Sequence, residues 1–247
     1  MVQWKRYTIP GREDSVQSSG VVVAGGSSTR MGRDKRFLRL GDKPLLLWIV
    51  ERVRPLVEEL VLAVQDGTPF VGWDVRLTTD AYPGQGVLAG LHAGLAAARG
   101  AWALVVGGDM PLLNPALIGA MLQLTLITEA DVIVPEWQGQ FEPLHALYRT
   151  AVCAPAAEMA LQAGKRRIVA FYPQVRVQVF SHAEVAHWDP EGLSFFNINT
   201  TEDWAAALRH LGLPEEPPGM GIDADLPGAH VAHSSDAPTF GERHRHG

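Results

Sequence analysis

The stretch VVVAGGSSTRMGRDK, residues 21–35, changes character halfway along. Val21 to Val23 have the pattern of a short strand buried on both faces. The paired glycines and the hydroxyl residues after them cannot prolong a ladder, so the chain must turn there. A glycine-rich turn at the end of a buried strand presents backbone N–H groups, and with basic side chains nearby these form a cradle for phosphate oxygens. Gly25 and Gly26 alone would serve any tight turn. Arg30 and Lys35 behind them favour the phosphate reading. Lys35 is suited to neutralise charge that grows on transferring phosphoryl oxygens, and Arg30 either does the same or holds the loop. Two better-known phosphate loops do not fit: counting from Gly26, Met31 stands where a P-loop needs its second glycine, and Lys35 is followed by Arg36. No G-x-G-x-x-G follows the first strand either.

Working outward, short apolar runs alternate with helical stretches. Pro44 to Leu56 reads as a helix, Leu60 to Val64 as a strand, and Val75 to Leu77 as a third strand. Gly86 to Arg99 carries an apolar stripe at Leu88, Leu91, Leu95 and Ala98, with helical spacing. Ala103 to Val106 is another buried strand, and NPALIGAMLQL has Asn114 as N-cap with Pro115 at the first helical position. Asp131 to Pro135, Leu144 to Tyr148 and Val175 to Phe180 read as strands, the last with Val175, Val177 and Val179 on one face. Thr200 and Asp203 bracket a capping box for a helix through Trp204 to about His210. This alternation predicts an α/β fold: one three-layer domain, a mostly parallel sheet flanked by helices, with ligands at the carboxyl ends of the strands. The domain is expected over residues 19–213, between a polar N-terminal extension (1–18) and a mobile C-terminal tail (214–247) rich in Pro, Gly and His.

Composition bounds the partners. With 247 residues and 47% hydrophobic content the chain can build one large core. A net charge of −6 argues against general nucleic-acid binding. The lone Cys153 allows no intramolecular disulfide and fits a reducing compartment. The longest apolar run, Leu45 to Val50, is too short to span a bilayer, and no signal-like core follows Lys5 and Arg6, so a soluble, cytoplasmic protein is expected. His230, His233, His244 and His246 lack the flanking Cys or fold that would place them as metal ligands.

Four ordered motifs resemble the molybdenum cofactor guanylyltransferases, which are nucleotidyltransferases with a Rossmann-like fold. Ala24-Gly25-Gly26, Arg30-Met31-Gly32, Asp34-Lys35 and Gly41 to Leu45 are similar to that family's opening signature. TTDAYPGQGVLAGL matches its acidic residue and P-G-x-G-P-L-A-G-L, with Asp80 in the acidic position and Val87 in place of the proline. GDMP (Gly108 to Pro111) is similar to its metal-binding aspartate motif, EPLHALY (Glu142 to Tyr148) to a mid-domain segment, and FNINTTED (Phe196 to Asp203) to its closing signature. The resemblance covers about residues 19 to 211. It implies nucleotide contacts at Val23, Ala24, Gly25, Gly26, Lys35, Asp80, Gly86 and Asp109, and catalysis by Lys35, Arg30 and Asp109. It also implies GTP as donor, molybdopterin-bound molybdenum as acceptor, and delivery of the product to molybdoenzymes or their chaperones.

Asp109, at the mouth of the sheet after a buried strand, suits Mg²⁺, which takes one or two protein oxygens and fills its octahedron with phosphate and water. Asp80 either receives nucleotide hydrogen bonds or caps its loop. Asn197 and Asn199 alternate with Phe196 and Ile198, so as part of a strand both amides would face the acceptor; a turn-stabilising role is equally open for one of them. Glu142 and His145 complete the expected acceptor-binding set. Ala63 stands where some family members have a nucleotide-binding asparagine. A cytidylyltransferase family acting on the same cofactor reads A-A-G and G-D-Q-P where this chain has Ala24-Gly25-Gly26 and GDMP, which favours guanylyl transfer. The alternatives are cytidylyl or related nucleotidyl transfer, and a non-catalytic nucleotide or pterin carrier.

Overall fold

The computed structural model describes residues 18–25, 38–65, 70 and 72–214. Residues 1–17 and 215–247, nearly all of the two expected extensions with the four tail histidines, lie outside the described residues, as do Gly26, Arg30 and Lys35. The chain begins with β1 (Ser18–Val23), β2 (Arg39–Leu40), β3 (Lys43–Pro44), α1 (Leu45–Val53), β4 (Glu59–Val64), β5 (Arg76–Thr79), α2 (Val87–Ala97) and β6 (Trp102–Gly107). It continues with α3 (Pro115–Leu124), β7 (Val132–Trp137), β8 (Gln140–Phe141), β9 (His145–Arg149), α4 (Thr150–Gln162), β10 (Val177–Phe180), α5 (His182–Trp188) and α6 (Thr201–Leu211). None of these helices is long and apolar enough to cross a membrane.

The main sheet runs β10-β7-β9-β6-β1-β4-β5, with β8 paired to β7. β1 lies between β4 and β6, parallel to both, and β4–β5 and β7–β10 are also parallel. β9 runs antiparallel between β6 and β7, and the short β8 pairs antiparallel with β7 at its far end. No helix separates β7 from β9, only the turn and β8, so the chain must reverse; parallel neighbours need a long crossover.

Alternation along the buried strands sends side chains into two cores. Val22, Leu62, Leu104 and Ile133 face α1, α3 and α6, whereas Val21, Val61, Val105 and Val134 face α2 and α4. The result is the expected three-layer sandwich. α2 comes unusually close to β1. An added Cβ at Gly94 would stand 2.2 Å from Val21 Cγ1, and one at Gly90 2.8 Å from Val23 Cγ1, so two glycines one helical turn apart let helix and strand touch.

Several local expectations hold. Asn114 Oδ1 accepts from the N–H groups of Ala116 and Leu117, with Pro115 next to it, and Thr200 and Asp203 form a reciprocal capping box. Others are corrected. β1 starts at Ser18, because the Ser19 hydroxyl donates to Glu59 Oε1 at 2.6 Å and the serines are buried as strand residues. β10 starts at Val177, since a 3-10 turn over Ile168–Gln174 precedes it, and as an edge strand it leaves Val179 38% exposed. Phe196 to Asn199 form no strand. The backbone is held at single points, Ile198 N–H donating to the Asp109 carbonyl and Asn199 N–H to Asp203 Oδ2.

Candidate active site

Pairing of β1 with β4 ends one residue past the strand, where Ala24 N–H donates to the Ala63 carbonyl at 2.9 Å. Gly25 is exposed beyond it. Over this strand end folds the loop that follows β6: Gly108 N–H donates to the Val23 carbonyl at 2.9 Å. A Cβ at Gly108 would lie 2.8 Å from Ala24 Cβ and 3.1 Å from the Val23 oxygen, so only glycine allows this crossing. Asp109, next in sequence, is thereby set at the end of β1, partly exposed, and its carbonyl accepts from Ile198 N–H at 2.9 Å. Three motifs far apart in sequence are tied together by backbone bonds.

A cavity of about 340 Å³ opens at these strand ends. Gly25 lines it from β1, Ala63, Val64 and Gln65 from the end of β4, and Asp80 from the loop after β5. Gly84, Gly86, Val87 and Gly90 complete it from the turn and the first residues of α2. Gly86 is the N-cap of α2 and no side chain caps the helix, so its positive end adjoins the cavity. Asp80 Oδ1 accepts from Tyr82 N–H at 2.6 Å, and Tyr82 Oη donates to Glu158 Oε1 of α4 at 3.0 Å. Asp80 therefore caps its loop, the second of the two roles left open by the sequence, and also lines the cavity.

A second cavity of about 280 Å³ shares Val87 with the first. Its lining comes from Met110 beside the Asp109 loop, from Phe141 at the end of β8 and Glu142 to Leu144 after it, from Arg167 to Val169, and from Asn197. Glu142 is held by its backbone, its N–H donating to the Pro135 carbonyl and its own carbonyl accepting from His145 N–H. Burial pushes the Glu142 carboxyl up to about 7. Asn197 Nδ2 donates to the Phe195 carbonyl at 2.9 Å, bracing a turn at the cavity wall.

His145 does not join either cavity. It is fully buried and meets the Phe195 ring edge to face, with centroids 5.2 Å apart. Neither ring nitrogen has a hydrogen-bond partner. Burial pulls its pKa down to about 4, against the opposing pull of the Asp189 carboxylate, so it is a neutral core residue. Asn199 is exposed and lines neither cavity. The expectation of two asparagine amides on one strand face fails with the strand itself. Conversely, Gln65, Met110, Phe141 and Arg167 line the cavities without having been singled out by sequence. An arginine followed by the apolar run Ile168 to Phe171 was a signal for Arg167; the others had none.

No three His, Cys, Asp or Glu side chains cluster into a cation cage among the described residues. Asp109 lines neither cavity; at the strand ends it offers a hard-oxygen donor of the kind that suits a cation completing its shell with phosphate and water.

The sequence model of the MobA-like NTP transferase domain matches residues 20–178. A molybdenum cofactor guanylyltransferase from Cereibacter sphaeroides is 36% identical over 193 residues, 76% of this chain and 94% of its own length. A protein of the same name from Desulfosudis oleivorans is 32% identical over 186 residues, 75% of this chain and 91% of its own. Among solved structures, the molybdopterin-guanine dinucleotide biosynthesis protein A of Archaeoglobus fulgidus superposes with a TM-score of 0.69 at 26% identity, over 79% of this chain and 98% of that one. The 2-C-methyl-D-erythritol 4-phosphate cytidylyltransferase of Thermus thermophilus, at 19% identity and a TM-score of 0.59 over 79% and 98%, shares the fold.

Proposed function

The chain belongs to the MobA-like NTP transferase family, and from that membership we propose that it transfers GMP from GTP to the terminal phosphate of molybdenum-bound molybdopterin, releasing pyrophosphate. The observation that carries this reading is the crossing of the Gly108–Asp109 loop over the end of β1, held by the Gly108 N–H to Val23 carbonyl bond, which brings Asp109 to the strand end where the glycine motif begins. In the reaction an oxygen of the acceptor phosphate attacks the α-phosphorus, the bond to the bridging oxygen breaks, and pyrophosphate leaves in line. The attacking oxygen is already ionised, so no strong general base is needed. The protein's work is to position the two substrates and to offset charge.

The first cavity suits the nucleotide, with backbone N–H groups at Gly25, the positive end of α2 and the Asp80 carboxylate as hydrogen-bond acceptor. Gly26, Arg30 and Lys35 join this set from their sequence motif. The second cavity, reached past Val87, suits the acceptor. When bound, Mg²⁺ supplies charge neutralisation at the phosphate oxygens, and Asp109 is the residue that would hold it.

The test is pyrophosphate release from the purified protein with GTP, Mg²⁺ and molybdenum-loaded molybdopterin, and with CTP in place of GTP. GTP should support turnover and CTP should not. Asp109→Ala should cut turnover by about a hundredfold or more without lowering the melting temperature, since no core cavity is opened. Full activity in that variant would remove Asp109 from the mechanism, and an absence of pyrophosphate in the wild type would leave a carrier.

A further inference from the structure

The second cavity is largely apolar, with Val87, Met110, Phe141 and Leu144 in its walls. Set among them is the half-buried Glu142 carboxyl. Among the described residues it has no side-chain partner: burial is the one cause of its raised pKa, with no hydrogen bond and no neighbouring charge contributing. Arg167 lines the same cavity and is the obvious counter-ion, yet the two do not pair. A carboxylate withdrawn from water without donors is costly, and the cost is removed when a ligand brings N–H groups to it. A ligand that suits this lining offers apolar surface to the walls and hydrogen-bond donors to the carboxyl.

We propose that Glu142 selects the acceptor by its ring: its two carboxylate oxygens accept the ring N–H and the exocyclic amino N–H of an aminopyrimidinone, a pair of parallel bonds that a ring without the amino group cannot make. The inference rests on reading the second cavity as the acceptor's. A pterin presents this edge, and so does guanine, so the chemistry has two sources among the proposed substrates. Glu142 lies in the wall of the second cavity and not of the first, which assigns it to the pterin. A carboxylate acting this way is a specificity residue and does no proton transfer in the chemical step. A site built to bond an N–H group discriminates strongly against the analogue that lacks it, because its own buried acceptor is then left unpaired.

Two commercial probes separate the possibilities: pterin, and lumazine, in which an oxo group replaces the amino group. Binding is read from quenching of their fluorescence and from competition with molybdopterin in the transfer assay. The wild type should prefer pterin to lumazine by about tenfold or more, the scale of one charge-assisted hydrogen bond. Glu142→Gln, which keeps the shape and replaces one acceptor with a donor, should bring the two within about threefold while GTP affinity stays unchanged. Equal binding of the two probes by the wild type, no pterin binding or competition at all, or a preference that survives Glu142→Gln would overturn the proposal. Weakened GTP binding in Glu142→Gln would overturn it too, by moving the residue to the guanine. Failure of the wild type to transfer GMP to molybdopterin would instead strike the acceptor reading, so the two can fail separately.

Discussion

His145 shows how a residue placed in the site by its motif can belong to the core. Its neighbours Glu142 to Leu144 line a cavity, but His145 is the first residue of β9 and alternation turns it inward, against Phe195. The folded imidazole titrates at about 4 and the unfolded one near its ordinary 6.5. Between those values the unfolded chain holds the extra proton, so the stability contribution is complete above pH 6.5 and is lost as pH falls towards 4. A shift of this size corresponds to about 3 kcal/mol. Glu142 acts with the opposite sign, since its raised pKa makes the folded state hold more protons between 4.5 and about 7 and lowers stability as pH rises through that range. Comparing variants isolates the histidine. His145→Leu should unfold in urea within about 1 kcal/mol of wild type at pH 7.5, because the orphaned nitrogens disappear with the ring, and should be the more stable of the two at pH 5. Equal stability losses on acidification would show that His145 is not neutral in the fold.

At the level of elements, what the sequence made legible were ends and beginnings. The end of β1 at Val23, the Asn114–Pro115 start and the Thr200–Asp203 box each depend on local backbone chemistry, and each is where it was expected. What depended on partners was not legible. Nothing local says that β9 inserts antiparallel between β6 and β7, or that Phe196 to Asn199 pair with no strand. The close approach of α2 to β1 is of the same kind: Gly90 and Gly94 weaken an isolated helix, and their value lies in the strand beneath. The same substitution should therefore change sign with place. In α3, an added Cβ at Gly119 meets nothing within 4 Å, so Gly119→Ala should stabilise by about 0.5–1 kcal/mol through helix propensity. In α2, Gly94→Ala drives a methyl into Val21 and should destabilise by about 1–3 kcal/mol despite the same propensity gain. Thermal melts of the two variants should move in opposite directions from wild type; a parallel shift would mean that α2 can retreat without loss.

Across the whole molecule, the two cavities are assembled from segments that meet only in the finished fold. Gly25, Asp80, Glu142 and Asn197 come from four separate connections, all at one end of the sheet. The Trp204 indole closes the molecule by donating to the Arg39 carbonyl across 165 residues of sequence. Position in an α/β sheet made legible the end at which both cavities open, whereas the division into two compartments was not, because it depends on the reversal of β9. The partition is thin, since Val87 belongs to both cavities. On the proposed reaction each substrate arrives with one foothold, but the dinucleotide product keeps both. Loss of one half leaves it tethered by the other at a high effective concentration, so rebinding outruns escape. The enzyme should show a first-turnover burst of about one pyrophosphate per active site, followed by a slower steady rate set by departure of the product; stopped-flow detection of pyrophosphate would reveal it, and a linear trace from the first turnover would exclude it. A catalyst that clings to what it makes works fastest beside a protein waiting to receive it.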